Sequence, residues 1–315
     1  MGMTLKWHGR GISTYKKHIF SRHLSTHQPN PTTHHYTPLN ILTNPTIQDF
    51  RNKYFHPEKP TILHSSSLRN LPARRNWFVK STPSTPACFT LNHAYFENCT
   101  DTLVPLELTT STHDQFQRFD APLAVFLDWI RSSLSPSSSQ PFSLYLAQCQ
   151  VSNLPAPLPQ DLPTPDIVLH AGRGDVYDTN IWIGLPPTYT PLHRDPNPNL
   201  FLQLAGTKHV RLLAPEEGLK VFSRVRGALG RDAGRGAVVF RGEEMMKGRE
   251  KEMLEDAVWG GRVVSGGGDK EGGWDGVGYE AVLKGGEALF IPKGWWHSIK
   301  GVGEGVTASV NWWFR

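Results

Sequence analysis

The stretch from Ile181 to Arg211, IWIGLPPTYTPLHRDPNPNLFLQLAGTKHVR, constrains the fold more than any other. NIWIGL, NLFLQL and KHVRLLAP are short, largely apolar runs separated by Pro- and Asn-bearing segments and by an AGT turn. That is the pattern of successive strands with a hairpin, not of a helix. Strands resume near the C-terminus as YEAVL, ALFI, WWHSIK and VTASVNWWF, parted by KGGE and PKG turns.

His193 and Asp195 stand two residues apart inside this stretch. In extended backbone, side chains at i and i+2 point to one face, so an imidazole and a carboxylate converge. A candidate third ligand is His297, 104 residues downstream in WWHSIK. If His297 faces a barrel interior, Trp295 and Ile299 do too, and Trp296 and Ser298 face outward. Two imidazoles and one carboxylate form the facial set of non-haem Fe(II) oxygenases. Taken alone the His-x-Asp pair is weak, because a chain with 14 His supplies such pairs by chance, and a surface strand pair is the plainer reading of it.

Composition narrows the class. Apolar residues make up 38% and charged residues 19%, with 25 Pro and 29 Gly, which favours a loop-rich β protein. There is no run of 18 apolar residues, so no transmembrane helix is expected. The net charge of +5 sits in residues 1–48, which hold five Lys/Arg and no acid, leaving 28 basic and 28 acidic residues in the remainder. A neutral body gives no support for a nucleic-acid surface. The basic, Ser/Thr-containing arm reads either as a mitochondrial transit peptide or as a disordered tail of a cytoplasmic or nuclear protein. Cys88, Cys99 and Cys149 form no CxxC pair, which fits a reducing compartment without a disulfide framework.

Residues 1–48 read as unstructured, and helical spacing begins at TIQDFRNKYF. HPEKPTIL supplies a short strand, and residues 64–86 read as loop. Leu123, Phe126, Leu127, Ile130 and Leu134 form the clearest helical face, with Asp120 as N-cap and Pro122 in the first turn. FSLYLAQCQ then reads as a strand and residues 151–178 as a Pro-rich loop. Residues 227–278 hold 15 of the 29 Gly and no Pro, flanking the helix-like EEMMKGREKEMLEDAVW; a long insert of this kind is a functional lid or a disordered loop.

Beyond these readings, YLAQCQ, the Ile181–Pro215 run, GEALFIPKGWWHSI and SVNWWF resemble the JmjC domain. This is the cupin-like double-stranded β-helix of Fe(II)- and 2-oxoglutarate-dependent oxygenases. The similarity is to its small hydroxylase branch, of the arginyl- and asparaginyl-hydroxylase type. It covers about residues 49–315 and is weakest across 64–120 and 220–279. It implies a mainly β, jelly-roll fold at 141–315, carrying a Gly-rich insert at 223–279, with an N-terminal α/β elaboration at 49–140. The implied iron ligands are His193, Asp195 and His297. The implied 2-oxoglutarate side comprises Tyr145, Thr190, Asn199, Lys208 and Asn311, with Trp182 eleven residues before the first ligand. The implied partners are O2 and a protein or peptide substrate; a homodimer stays open. Lys208 alternates with Val210 and Leu212, so its ammonium shares an apolar face where it needs an anionic partner. The implied activity is hydroxylation of an Arg, Asn or Lys side chain, coupled to decarboxylation of 2-oxoglutarate. The alternatives are a tRNA-base hydroxylase or histone demethylase of the same fold, a zinc or nickel cupin enzyme, and a non-catalytic cupin-like binding protein. The spacing from Asp195 to His297 exceeds what is typical of the family, and the insert accounts for the excess.

Overall fold

Alternation at period two places every second side chain of a strand on one face, and two such faces bury each other here. The computed structural model of the chain describes residues 36–81, 88–110, 115–135, 140–232, 234, 243–260 and 277–315. In chain order the strands are β1 (Tyr36–Pro38), β2 (Ile41–Thr43), β3 (Thr61–His64), β4 (Phe78–Lys80), β5 (Phe89–Leu91), β6 (Leu103–Thr110), β7 (Phe116–Pro122) and β8 (Phe142–Gln150). They continue as β9 (Val176–Gly184), β10 (Thr188–Arg194), β11 (Asn199–Ala205), β12 (Thr207–Leu213), β13 (Gly278–Lys284), β14 (Glu287–Ile291), β15 (Trp296–Val302) and β16 (Thr307–Phe314).

One sheet has the order β1-β13-β12-β15-β10 and the other β2-β3-β14-β11-β16-β9-β8-β6-β7, with β4-β5 a separate pair. From β9 onward the chain passes between the sheets, so that β9, β11, β14 and β16 face β10, β12, β13 and β15. That crossing pattern is a double-stranded β-helix. Between the two halves lie Phe201, Val210, Leu212, Leu283, Leu289, Ile291 and Ile299. The opposite face of the larger sheet, with Leu200, Leu202, Val310 and Trp312, packs on an N-terminal layer that includes Trp77, Phe126 and Ile130. Burying both faces explains why these strands read as almost continuous apolar runs.

The outer face of the smaller sheet is covered by two helices, Pro215–Ala228 and Gly248–Trp259. Val221, Phe222, Val225, Leu254 and Val258 close over Leu192, Leu213 and Trp296. Trp296 points away from the barrel as its alternation requires, yet it is fully buried under the first of these helices.

Several expectations are corrected. Residues 36–43 are not unstructured: β1 pairs in parallel with β13 and β2 with β3, and Leu39 is buried between the sheets. Residues 1–35 lie outside the described residues. The 64–86 stretch is not plain loop; it carries short helices at Ser66–Arg69 and Pro72–Asn76 and the strand β4, anchored by buried Leu68, Leu71, Ala73 and Trp77. Asp120 is not a helix cap. The β6–β7 ladder runs to the Leu103–Pro122 pair, so the helix starts only at Leu123. Of the insert, the described part is ordered as the end of the first covering helix, a turn at Glu243–Met246 and the second helix. All three cysteines are free. No helix of the described residues is long and apolar enough to cross a membrane.

Candidate metal centre

β10 and β15 are antiparallel neighbours, and their register sets His193 directly opposite His297. An irregularity in β10 between Thr190 and His193 re-aims the strand, as bulges do beside functional sites. The imidazole rings lie 4.2 Å apart, centre to centre. Asp195, one residue beyond β10, brings its carboxylate within 3.7 Å of His297 Nε2, and the three ligand atoms lie within 4.8 Å of one another.

The surroundings fix which atoms face the centre. His193 Nδ1 lies 2.8 Å from the Pro191 carbonyl and His297 Nδ1 3.2 Å from that of Trp295. A carbonyl only accepts, so each Nδ1 carries the proton and each Nε2 keeps its lone pair. Burial, and then His193 beside it, lower the pKa of His297, which keeps its ring neutral. Asp195 Oδ2, the oxygen 3.7 Å from His297 Nε2, accepts from Asn199 Nδ2 at 2.9 Å and from Trp313 Nε1 at 3.0 Å; the carboxylate is thereby oriented. Partners of this kind hold metal ligands in place and tune them.

A cavity of about 520 Å³ opens on these three residues, and Tyr145, Trp182, Thr190, Asn199, Lys208 and Asn311 line it as well. All nine residues singled out in the sequence are therefore brought to one place. Lys208 is only 2% exposed. Its ammonium donates to Ser309 Oγ at 2.7 Å and to Tyr145 Oη at 3.2 Å, lies over the Phe201 ring, and has no carboxylate partner among the described residues. Burial pushes its pKa down to about 7. The Tyr145 phenol is held above its ordinary pKa, first by burial and then by Glu107, so it keeps its proton to donate. Gly184 makes room for that ring: a Cβ there would stand 2.4 Å from Tyr145 Cδ2. Trp182 Nε1 donates to Asn311 Oδ1 at 2.8 Å. Asn311 Nδ2 and Asn199 Oδ1 are buried without partners among the described residues.

Sequence reasoning missed four contributors. Ser309 and Trp313 flank Asn311 at two-residue spacing on one strand, so alternation alone could have found them. Met245 and Met246, from the turn in the insert, also line the cavity, and no pattern in the Gly-rich segment announced them.

A family model for the cupin-like domain matches residues 47–252 and 277–315. The chain belongs to the cupin-like domain family. Within this cupin-like fold, similar proteins include the lysine-specific demethylase JMJ30 of Arabidopsis thaliana, 23% identical over 85% of this chain and 53% of that protein. Lysine-specific demethylase 8 of Xenopus tropicalis is 25% identical over 88% of this chain and 53% of its own length. The human bifunctional peptidase and (3S)-lysyl hydroxylase JMJD7 is 27% identical over 55% of this chain and 53% of its own. The chain spans about half the length of these relatives.

The donor set of this cupin-like domain fits a divalent non-haem iron, and the buried, uncompensated Lys208 fits a carboxylate reaching from that metal to the back of the cavity. Nitrogen and oxygen donors on one face, without a thiolate, match Fe(II) with further positions for exogenous ligands.

Proposed function

We propose that this protein is an Fe(II)- and 2-oxoglutarate-dependent dioxygenase that hydroxylates a protein side chain. One observation carries the reading: a buried ammonium, without an anionic partner among the described residues, lies in the same cavity as two histidines and a carboxylate. An isolated buried charge is costly, and a dicarboxylate chelating a metal at its other end would compensate it with charge-assisted bonds.

His193 Nε2, His297 Nε2 and the Asp195 carboxylate would hold the metal on one face. Lys208, with the Tyr145 and Ser309 hydroxyls, would receive the distal carboxylate of 2-oxoglutarate and orient its keto-acid end. Iron, 2-oxoglutarate and O2 together supply oxidative decarboxylation to succinate, coupled to insertion of one oxygen atom into a C–H bond. Trp182, Trp313, Phe201 and Ile299 wall the cavity and limit the access of water to it. The single-residue choice among Arg, Asn and Lys substrates leans on the relatives, whose names specify lysine. We read the basic residues ahead of β1, Lys6, Arg10, Lys16, Lys17 and Arg22, as a mitochondrial address, which localisation of the tagged full chain tests.

Turnover of 2-oxoglutarate is the direct test. Wild type is expected to form succinate only with added Fe(II), and His193→Ala to form none. Metal-independent turnover, or none under any condition, contradicts the proposal. Peptides heavier by one oxygen atom after incubation with the active protein, but not with His193→Ala, would identify the side chain.

A further inference from the structure

The insert does more than lengthen the chain between Asp195 and His297. Its second helix ends at Trp259, whose indole is fixed between two cations: the Arg211 guanidinium 4.7 Å from the ring centre and the Lys300 ammonium 5.1 Å from it. Lys300 also pairs with Glu255 on the same helix at 2.6 Å, and Arg211 Nη1 donates to the Val258 carbonyl at 2.6 Å. The indole is thereby aimed inward. Its Nε1 donates to Ser298 Oγ at 2.9 Å, and Ser298 donates in turn to the Thr190 carbonyl at 2.8 Å.

The second and third members of this relay lie on the ligand-bearing strands. Ser298 follows His297, and Thr190 is the residue at which β10 departs from regular register before His193. Ser298 is fully buried, and its hydroxyl bridges the two ligand-bearing strands at the irregularity that lets their histidines meet. On the other side of His297, Trp296 is clamped by the first covering helix: its Nε1 donates to the Pro215 carbonyl at 3.2 Å, and its ring lies 5.1 Å from that of Phe222.

We infer that Trp259 is a positioning residue for the metal centre, acting through Ser298 and the Thr190 carbonyl to hold β10 and β15 at the separation the two histidines require. The inference rests on the metal reading above. It makes the insert part of the device that sets ligand geometry.

The test uses Co(II) as probe on the full chain stripped of metal, with affinity and the visible d–d absorption read in one titration. Wild type should bind one Co(II), and His193→Ala should lose it. Trp259→Phe keeps the ring and removes the N–H; Ser298→Ala removes the bridge. Both are expected to weaken Co(II) binding by about tenfold or more and to shift the d–d bands, the scale found when groups that orient ligands are removed. Ile130→Val removes one buried methyl group from the N-terminal layer, away from the insert, and supplies the comparison for general loss of stability. It should leave both readouts unchanged. Wild-type affinity and spectrum in Trp259→Phe would overturn the inference, as would an equal weakening by Ile130→Val. An effect of Ser298→Ala alone would also overturn it, because the hydroxyl would then act without the insert. Failure of the wild type itself to bind Co(II) at His193 would instead remove the metal reading, and the inference with it.

Discussion

Lys208 shows how one residue can be a burden to the fold and a requirement of the site. Its alternation with Val210 and Leu212 carries an ammonium into the space between the sheets, where burial alone drives its pKa down to about 7. Between that value and the ordinary lysine value near 10.5, the unfolded chain binds a proton that the folded chain has released. Folding stability contributed by this group therefore rises with pH across that window and is lowest below it. Lys208→Met, which keeps the length and removes the charge, is expected to melt at or above the wild-type temperature at pH 7. The difference between the two proteins should shrink toward pH 10. Replacing an uncompensated buried charge by an apolar chain of similar volume is neutral or stabilising. A variant clearly less stable at pH 7 would show that the ammonium is already compensated. Binding of 2-oxoglutarate should move the other way, losing about 2–5 kcal/mol because a carboxylate would be left without its cation.

At the scale of elements, the contact between the Pro215–Ala228 helix and β15 decides a sign. Gly218 lies in that helix, where replacing glycine by alanine ordinarily gains about 1 kcal/mol. Here a Cβ would stand 2.1 Å from ring carbons of Trp296, which is fully buried and pinned through its Nε1. Gly218→Ala is therefore expected to destabilise, by roughly 1–3 kcal/mol as overpacking does, and to weaken metal binding by disturbing β15. A raised denaturation midpoint would show that this helix is only loosely seated. The β-helix itself was legible in the sequence because its strands announce themselves twice, through alternation and through the turns between them. The metal ligands were legible because His193 and Asp195 share a face in extended backbone. The Pro215–Ala228 helix was not recognised although Val221, Phe222 and Val225 carry helical spacing, since a neighbouring Gly-rich composition masked it. The end of β7 was misplaced for a different reason: Asp120 and Pro122 are good helix-start residues locally, and only the ladder to Leu103–Pro105 holds them in a strand.

Considered as a whole, the molecule is closed by its N-terminal strands. Tyr36 stacks on Arg211 at 4.1 Å and donates to the Val258 carbonyl at 3.1 Å, joining β1 to β12 and to the insert helix. Leu39 fills space between the sheets. A chain starting at residue 46 is therefore expected to be about 2–4 kcal/mol less stable in urea than one starting at residue 36, on the burial of one leucine and most of one tyrosine. Equal midpoints would show that β1 and β2 are dispensable. The same connections tie the insert to β12, next to Lys208, and to β15, next to His297, so the two ends of the proposed dicarboxylate grip share one supporting layer.

The central claim is that grip, with the metal at one end and Lys208 at the other. Calorimetric titration of 2-oxoglutarate into the protein loaded with redox-inactive Mn(II) tests it most directly. The expected result is one binding event in the wild type that disappears without Mn(II) and weakens at least about 30-fold in Lys208→Met. Equal binding with and without the metal, or undiminished binding in Lys208→Met, would contradict it.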